Sequence, residues 1–255
     1  MLRIVEAKHG HFMVFDNDRY VGRSLIELGE FAELQAQFFQ AIIKPEAVVV
    51  EVGSNIGAHT VPIAKKAAMV HAFEPQRRVY NVLCANMALN ELDNVECYRA
   101  AAGARKEVVR VPSMDFDLPV NNFGAFQIDN QGEASDIVTI MPVTIPCDFL
   151  KIDVEGWEVP VIHGAADMIR ECHPVIYTEN DRAEHSDELI GALQELGYRC
   201  YWHVTPLYRR ANHNGCAEDI FHILSVDMVC LPNGASCPFV EAKIGERPVL
   251  EYIEQ

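Results

Sequence analysis

At 255 residues, 49% of them hydrophobic, the chain is long enough for one sizeable core, and a single main α/β domain with extensions is expected. Its 21 Lys and Arg against 37 Asp and Glu give a formal net charge of −16, which opposes a polyanion, so no nucleic-acid partner is expected. Eight scattered cysteines without a C-x-x-C pair read as buried reduced thiols of a cytoplasmic protein, and no apolar stretch is long enough for a membrane span.

Residues 1–44 read as a hairpin followed by a helical segment. Leu2, Ile4 and Val5, then Phe12, Val14 and Phe15, form two short strands around His9-Gly10. Leu25, Leu28, Phe31, Leu34, Phe38 and Phe39 recur at helical spacing and are split by Gly29. The segment is either a cap over a ligand site or an N-terminal packing or dimer element.

From Ala47 the pattern alternates strand and helix, the signature of a parallel sheet with crossover helices. Strands are expected at 47–52, 69–74, 95–99, 148–153 and 175–180, with helices at 59–66, 76–90, 157–171 and 186–196. Two further strands, 198–204 and 221–231, could close the sheet as an antiparallel pair. An insertion at about 105–145 interrupts the rhythm with strand-like runs at 108–111, 123–128 and 137–143. The core is thus expected over 45–232 and a tail over 233–255.

The organising stretch is Val48 to Gly57, a β-branched run ending in a glycine turn. Ligands of open α/β sheets lie beyond the carboxyl ends of the strands, where Glu51, Glu74, Asp153 and Glu179-Asn180-Asp181 fall. Glu74, about 20 residues past the glycine turn, is placed to accept two hydrogen bonds from a ribose diol. The turn is Gly53-x-x-x-Gly57, without the G-x-G-x-x-G of dinucleotide sites, which disfavours a dehydrogenase, and without the G-K-[ST] of a phosphate loop. A nucleoside with no phosphate and a positive group near Glu51 describes S-adenosylmethionine.

Four segments also carry a resemblance: Glu51-Val-Gly-Ser-Asn-Ile-Gly-Ala-His-Thr60, Phe73-Glu-Pro75, Leu150-Lys-Ile-Asp-Val-Glu-Gly156 and Tyr177-Thr-Glu-Asn180. Together they are similar to the successive motifs of the FkbM family of class I S-adenosylmethionine-dependent methyltransferases, over about residues 20 to 231. Leu28-Gly29-Glu30 resembles the family's Y-G-E segment. Ser225 to Pro232 resembles the S-x-N-M-x-C-x-P strand of members with sugar-type substrates, Asp227 standing for Asn. The resemblance implies a Rossmann-like seven-stranded, mostly parallel sheet of order 3-2-1-4-5-7-6. It also implies cofactor contacts from Glu51, Gly53, Asn55, Gly57 and Glu74, with Ala101 or its neighbours near the adenine.

Methyl transfer from a sulfonium requires positioning and, for an alcohol acceptor, a base or metal. Asp153 is the first candidate for that base or for a substrate or cofactor contact, and His59 in the glycine turn is the nearest histidine. Glu179, Asn180 and Asn212 are candidate substrate contacts, Asn212 lying in the polar loop 208–214. Asp153, Glu179 and Asn180 could together bind a divalent cation. The activity expected is O-methylation of a hydroxyl on a small-molecule or glycan-type acceptor. Alternatives are N- or carboxyl-methylation, or a non-catalytic S-adenosylmethionine-binding protein.

Overall fold

The computed structural model describes residues 1–112, 115–124, 134–248 and 250. The chain opens with the antiparallel hairpin β1 (Leu2–Ala7) and β2 (Gly10–Phe15), followed by helices α1 (Val21–Glu27) and α2 (Glu33–Ile42). Phe12, Val14 and Phe15 of β2 are buried while Leu2 and Ile4 of β1 face solvent, so the hairpin lays one strand on the core.

The core alternates: β3 (Val48–Val52), α3 (Thr60–Ala64), β4 (Met69–Phe73), α4 (Arg77–Leu89), β5 (Val95–Tyr98), β6 (Ala101–Ala102), β7 (Glu107–Pro112), β8 (Ala134–Met141), β9 (Phe149–Ile152), α5 (Glu158–Cys172), β10 (Val175–Glu179), α6 (Ala183–Glu195), β11 (Tyr198–Pro206) and β12 (Leu224–Pro232). Seven strands form one sheet, β11-β12-β10-β9-β3-β4-β5. The five strands from β10 to β5 run parallel, and β12 is antiparallel to both neighbours. Counted along the core, this is the expected order 3-2-1-4-5-7-6. β3 lies inside the sheet between β9 and β4, and Val49, Val50 and Val52 are sealed from solvent, as a strand covered on both faces requires. On one face β3, β9 and β10 pack on α5 and α6 through Leu150, Ile162, Ile169, Ile176 and Leu189. On the other, Phe39 of α2 and Ile63 of α3 meet Val49, Val70 and Tyr177.

β6, β7 and β8 form a separate small sheet of order β6-β8-β7. The expected strand at 123–128 falls mostly outside the described residues, and Phe123 and Gly124 lie in a bend. All eight cysteines are free; Cys147, Cys200 and Cys230 are buried and the other five partly so. Among the described residues no helix is long and apolar enough to cross a membrane.

Candidate active site

The carboxyl ends of β3, β4, β9 and β10 open onto a cavity of ≈ 410 Å³, within the range of small-molecule sites. Its floor comes from Glu51 to Asn55, Glu74 to Gln76, Lys151 and Asp153 to Glu155. Tyr20, Val21, Phe31, Ala32 and Gln35 of the N-terminal segment close one wall, and Leu207 with Ile223 to Val226 close another. These two walls are tied together: Arg209 donates from Nη2 to Glu30 at 2.8 Å, and the main-chain N–H of Asn214 donates to the Leu28 carbonyl at 3.0 Å.

The glycine turn works differently from the sequence expectation. Gly53 holds φ 84°, and a Cβ there would lie 1.8 Å from the Asp153 carbonyl oxygen, so it is the approach of the β9 end that demands glycine. Gly57 lies outside the cavity lining: a Cβ on it would meet Met87 and Leu83 of α4 at 2.8 and 2.9 Å. Both glycines serve packing of the turn, and only Gly53 also faces the ligand space. Gly53→Ala should therefore cost about 3 kcal/mol, read as a loss of unfolding free energy in urea, from the clash and the left-handed backbone together.

Glu74 anchors this turn. Its two oxygens accept from the main-chain N–H groups of Asn55 (3.1 Å) and Gln76 (2.8 Å). Burial pushes its carboxyl up to about 8 in spite of those bonds. Asn55 takes a left-handed conformation, φ 50°, which asparagine tolerates better than most residues. Ala101 lines the cavity beside Ala100 and Ala102, bordering the small sheet.

Lys151 was not singled out from the sequence. It is 2% exposed, in a strand of buried residues, and stands at the same rung as Glu51 of β3. Its ammonium lies 3.5 Å from Glu51 Oε1 and 3.1 Å from Asp153 Oδ2. Burial alone would lower the lysine, but the Asp153 and Glu51 carboxylates more than reverse this, and it stays a cation. Burial raises Glu51 against the pull of Lys151 and of the Thr60 hydroxyl, which donates to Oε2 at 2.6 Å. The available signal was the charge itself: a lysine flanked by Phe149, Leu150 and Ile152 in a central strand needs a buried partner.

Beside Asp153, the acids Glu155, Glu179 and Asp181 also line the cavity. Glu155 is pushed up to about 7 by burial and by the Asp153 charge, opposed by Arg182, whose Nη2 donates to it at 2.7 Å. Glu179 is held well above the carboxylate range by burial and by Asp153, Asp181 and Glu155, and its buried Oε2 has no hydrogen-bond partner among the described residues.

Two expected substrate contacts are placed elsewhere. Asn180 is outside the cavity lining: its amide donates to Met228 Sδ at 3.2 Å, and its carbonyl oxygens receive Arg247. Asn212 staples its own loop, donating to the Arg209 and Cys216 carbonyls and accepting the Cys216 N–H at 2.8 Å. In both cases a polar side chain next to the site is consumed in satisfying nearby buried groups. The cation set of Asp153, Glu179 and Asn180 is accordingly not assembled: Asn180 points away, the Lys151 ammonium meets Asp153, and among the described residues no group of three or more His, Cys, Asp or Glu could hold a metal ion.

A mostly parallel seven-stranded sheet with an antiparallel seventh strand, and acidic residues gathered at its carboxyl edge, defines a Rossmann-like methyltransferase fold. The chain belongs to the FkbM family: the Methyltransferase FkbM domain matches residues 51–200, more than half of its length. No curated protein matches it. Similar solved structures include the FkbM methyltransferase of Methylobacillus flagellatus KT, with 16% identity, 76% of this chain and 50% of that chain covered, and a TM-score of 0.47. This chain thus spans half the length of that protein. Precorrin-6y C5,15-methyltransferase from Geobacter metallireducens GS-15 has 9% identity, 79% and 87% coverage and a TM-score of 0.50. The protein aTrm5, in its complex with tRNALeu, has 14% identity, 91% and 53% coverage and a TM-score of 0.52. At such identities the likeness is one of fold.

Proposed function

We propose that the protein transfers a methyl group from S-adenosylmethionine to a hydroxyl of a neutral or cationic small-molecule or glycan-type acceptor. The residues present fit that cofactor. Glu74, Gln76 with a buried Oε1 that has no partner among the described residues, and the cavity-facing part of the Gly53 to Asn55 turn offer acceptors and main-chain groups to a nucleoside. Glu51 and Asp153 offer negative charge to a sulfonium, while Lys151 keeps the pair from being an uncompensated dianion. When bound, S-adenosylmethionine supplies a methyl group on sulfur with a neutral thioether as leaving group.

The protein's own share is acceptor activation, and Glu179 is the observation that carries the hydroxyl reading. Glu155 is committed to Arg182 and Asp153 to Lys151, whereas Glu179 keeps an oxygen unpartnered among the described residues at the cavity wall. A carboxyl held above its usual range is a better proton acceptor for an alcohol once ionised. We assign Glu179 the proton of the attacking hydroxyl and Asp153, oriented by Lys151, the positioning of the acceptor. His59, kept neutral far below its usual range by burial and by Lys151, is poorly suited to the base role considered for it.

The cavity's acceptor end and the net charge of −16 both disfavour phosphorylated acceptors and polynucleotides. The reading is tested by calorimetry with S-adenosylmethionine and by release of S-adenosylhomocysteine with hydroxylated, amine and carboxylate acceptors; turnover confined to the latter two would overturn it. With an acceptor in hand, Glu179→Gln should lower turnover by about a hundredfold or more. Because the raised carboxyl gains its basic form only as pH increases, wild-type turnover should rise with pH, and the variant should lose that rise.

A further inference from the structure

Where the two walls of the cavity meet, three side chains close a hydrogen-bonded triangle to which the proposed mechanism gives no task. Gln35 of α2 donates from Nε2 to Ser225 Oγ at 2.8 Å and to Asp227 Oδ2 at 2.7 Å, and the Ser225 hydroxyl donates to the same Oδ2 at 2.7 Å. Gln35 and Ser225 line the cavity, whereas Asp227 is 4% exposed and outside the lining.

The hydrogens of this corner determine what it can offer a ligand. An amide nitrogen carries two and a hydroxyl one, and all three are directed at Ser225 or Asp227. The amide is oriented by this network, because only its nitrogen can donate to a carboxylate. What remains are lone pairs: Gln35 Oε1 and the second acceptor position of Ser225 Oγ. Thr205, paired with Ser225 on β11, lies outside the lining and adds no donor. The corner therefore accepts hydrogen bonds and gives none. Leu224 and Val226 flank Ser225 on the same wall, so an ether or carbonyl oxygen placed there would lose its water without gaining a hydrogen.

β12 sets the place of this corner in the cavity. Asp227 is the β12 partner of Glu179, and Ser225, two residues earlier, projects from the same face of the strand. The triangle thus sits beside the proposed base, while Glu74 follows β4 on the far side of β9 and β3. It belongs to the acceptor's side, not the nucleoside's.

We propose that Gln35 and Ser225, held by Asp227, form a subsite for a second hydrogen-bond donor of the methyl acceptor, a hydroxyl or an ammonium besides the hydroxyl that is methylated. The proposal rests on the hydroxyl-methylating reading and adds the substrate class: a polyol or amino alcohol, not a simple alcohol.

The experiment follows release of S-adenosylhomocysteine at pH 8, above the value of about 7 to which burial raises Asp227. Inositols and methyl hexosides are the parent acceptors, each compared with analogues in which one hydroxyl is removed, methylated or replaced by an amine; simple alcohols and phenols are the control. At one position the deoxy and methoxy analogues should lose about tenfold to a hundredfold in kcat/KM. In Ser225→Ala the amide hydrogen that Ser225 received is freed, and this loss should shrink to about threefold or less. The amine analogue at that position identifies the donor: turnover at least equal to the parent's assigns an ammonium, weaker turnover a hydroxyl, and both support the proposal. Should Ser225→Ala not fold, Gln35→Met, which fills the same space without the amide, gives the same decision. Equal turnover of all analogues, undiminished discrimination in the variant, or turnover of simple alcohols alone overturns the proposal and leaves methyl transfer to a hydroxyl standing. Absence of turnover with every hydroxylated acceptor overturns that reading and this proposal with it.

Discussion

Replacing Glu74 with alanine should weaken S-adenosylmethionine binding about a hundredfold, measured by calorimetry near pH 8. As a ribose contact the carboxylate would accept two charge-assisted hydrogen bonds, each contributing about 1.5–3 kcal/mol, and the net loss converts to roughly two decades. The variant also leaves the N–H groups of Asn55 and Gln76 without their acceptor, so part of the loss reflects a looser turn. The conservative Glu74→Gln separates the two effects, because it keeps an acceptor oxygen but not the charge.

The pH dependence has a defined sign. In the ligand-free protein Glu74 is held at about 8, above the ordinary 4.5, so it is largely protonated at pH 6. Binding that needs the carboxylate should therefore strengthen as pH rises toward about 8 and then level off. Stability runs the other way. The folded protein binds this proton more tightly than the unfolded chain, so the contribution is fully present below about 4.5 and lost as pH rises through about 8. Glu74→Gln should flatten both profiles.

The second large effect is structural. Lys151→Met should cost about 3–5 kcal/mol of unfolding free energy at pH 7, because methionine fills the space but leaves Glu51 buried without its cation. Urea titration checks the size, and pH checks the cause. With the ammonium gone, burial of Glu51 goes unopposed by Lys151, and the variant should regain stability as pH falls and that carboxyl protonates. A loss independent of pH would point to packing instead of charge.

The Lys151 network also explains why the two ends of the cavity behave differently. At the Glu51 end the Lys151 ammonium lies between Glu51 and Asp153 and opposes the burial that raises Glu51. At the Glu179 end, Arg182 serves Glu155, and Glu179 faces Asp153, Asp181 and Glu155 as like charges. There burial and the neighbouring carboxylates act together to hold a proton on Glu179, which is the property acceptor activation needs.

Alternation of β-branched runs with helical periods was enough to place the five parallel strands, because each pattern reflects burial that a local segment imposes on itself. The acids at the strand ends were legible for the same reason: position along a strand decides which edge they reach. The small sheet of β6, β7 and β8 was only partly legible, since pairing a two-residue strand with a distant one leaves no local period. The roles of the glycines, of Asn180 and of Asn212 were not legible at all. A glycine turn looks the same whether it admits a ligand or the Asp153 carbonyl, and an amide beside a site looks the same whether it meets substrate or staples its own loop.

From sequence alone, then, came the strand-helix rhythm, the acidic edge and the absence of a phosphate cradle, all set by residues near one another in the chain. Which of those acids is paired and which keeps a proton was decided only by tertiary structure. Each depends on groups far apart in sequence, Glu51 with Lys151 and Glu155 with Arg182, brought together by burial, where one missing or added partner determines the charge.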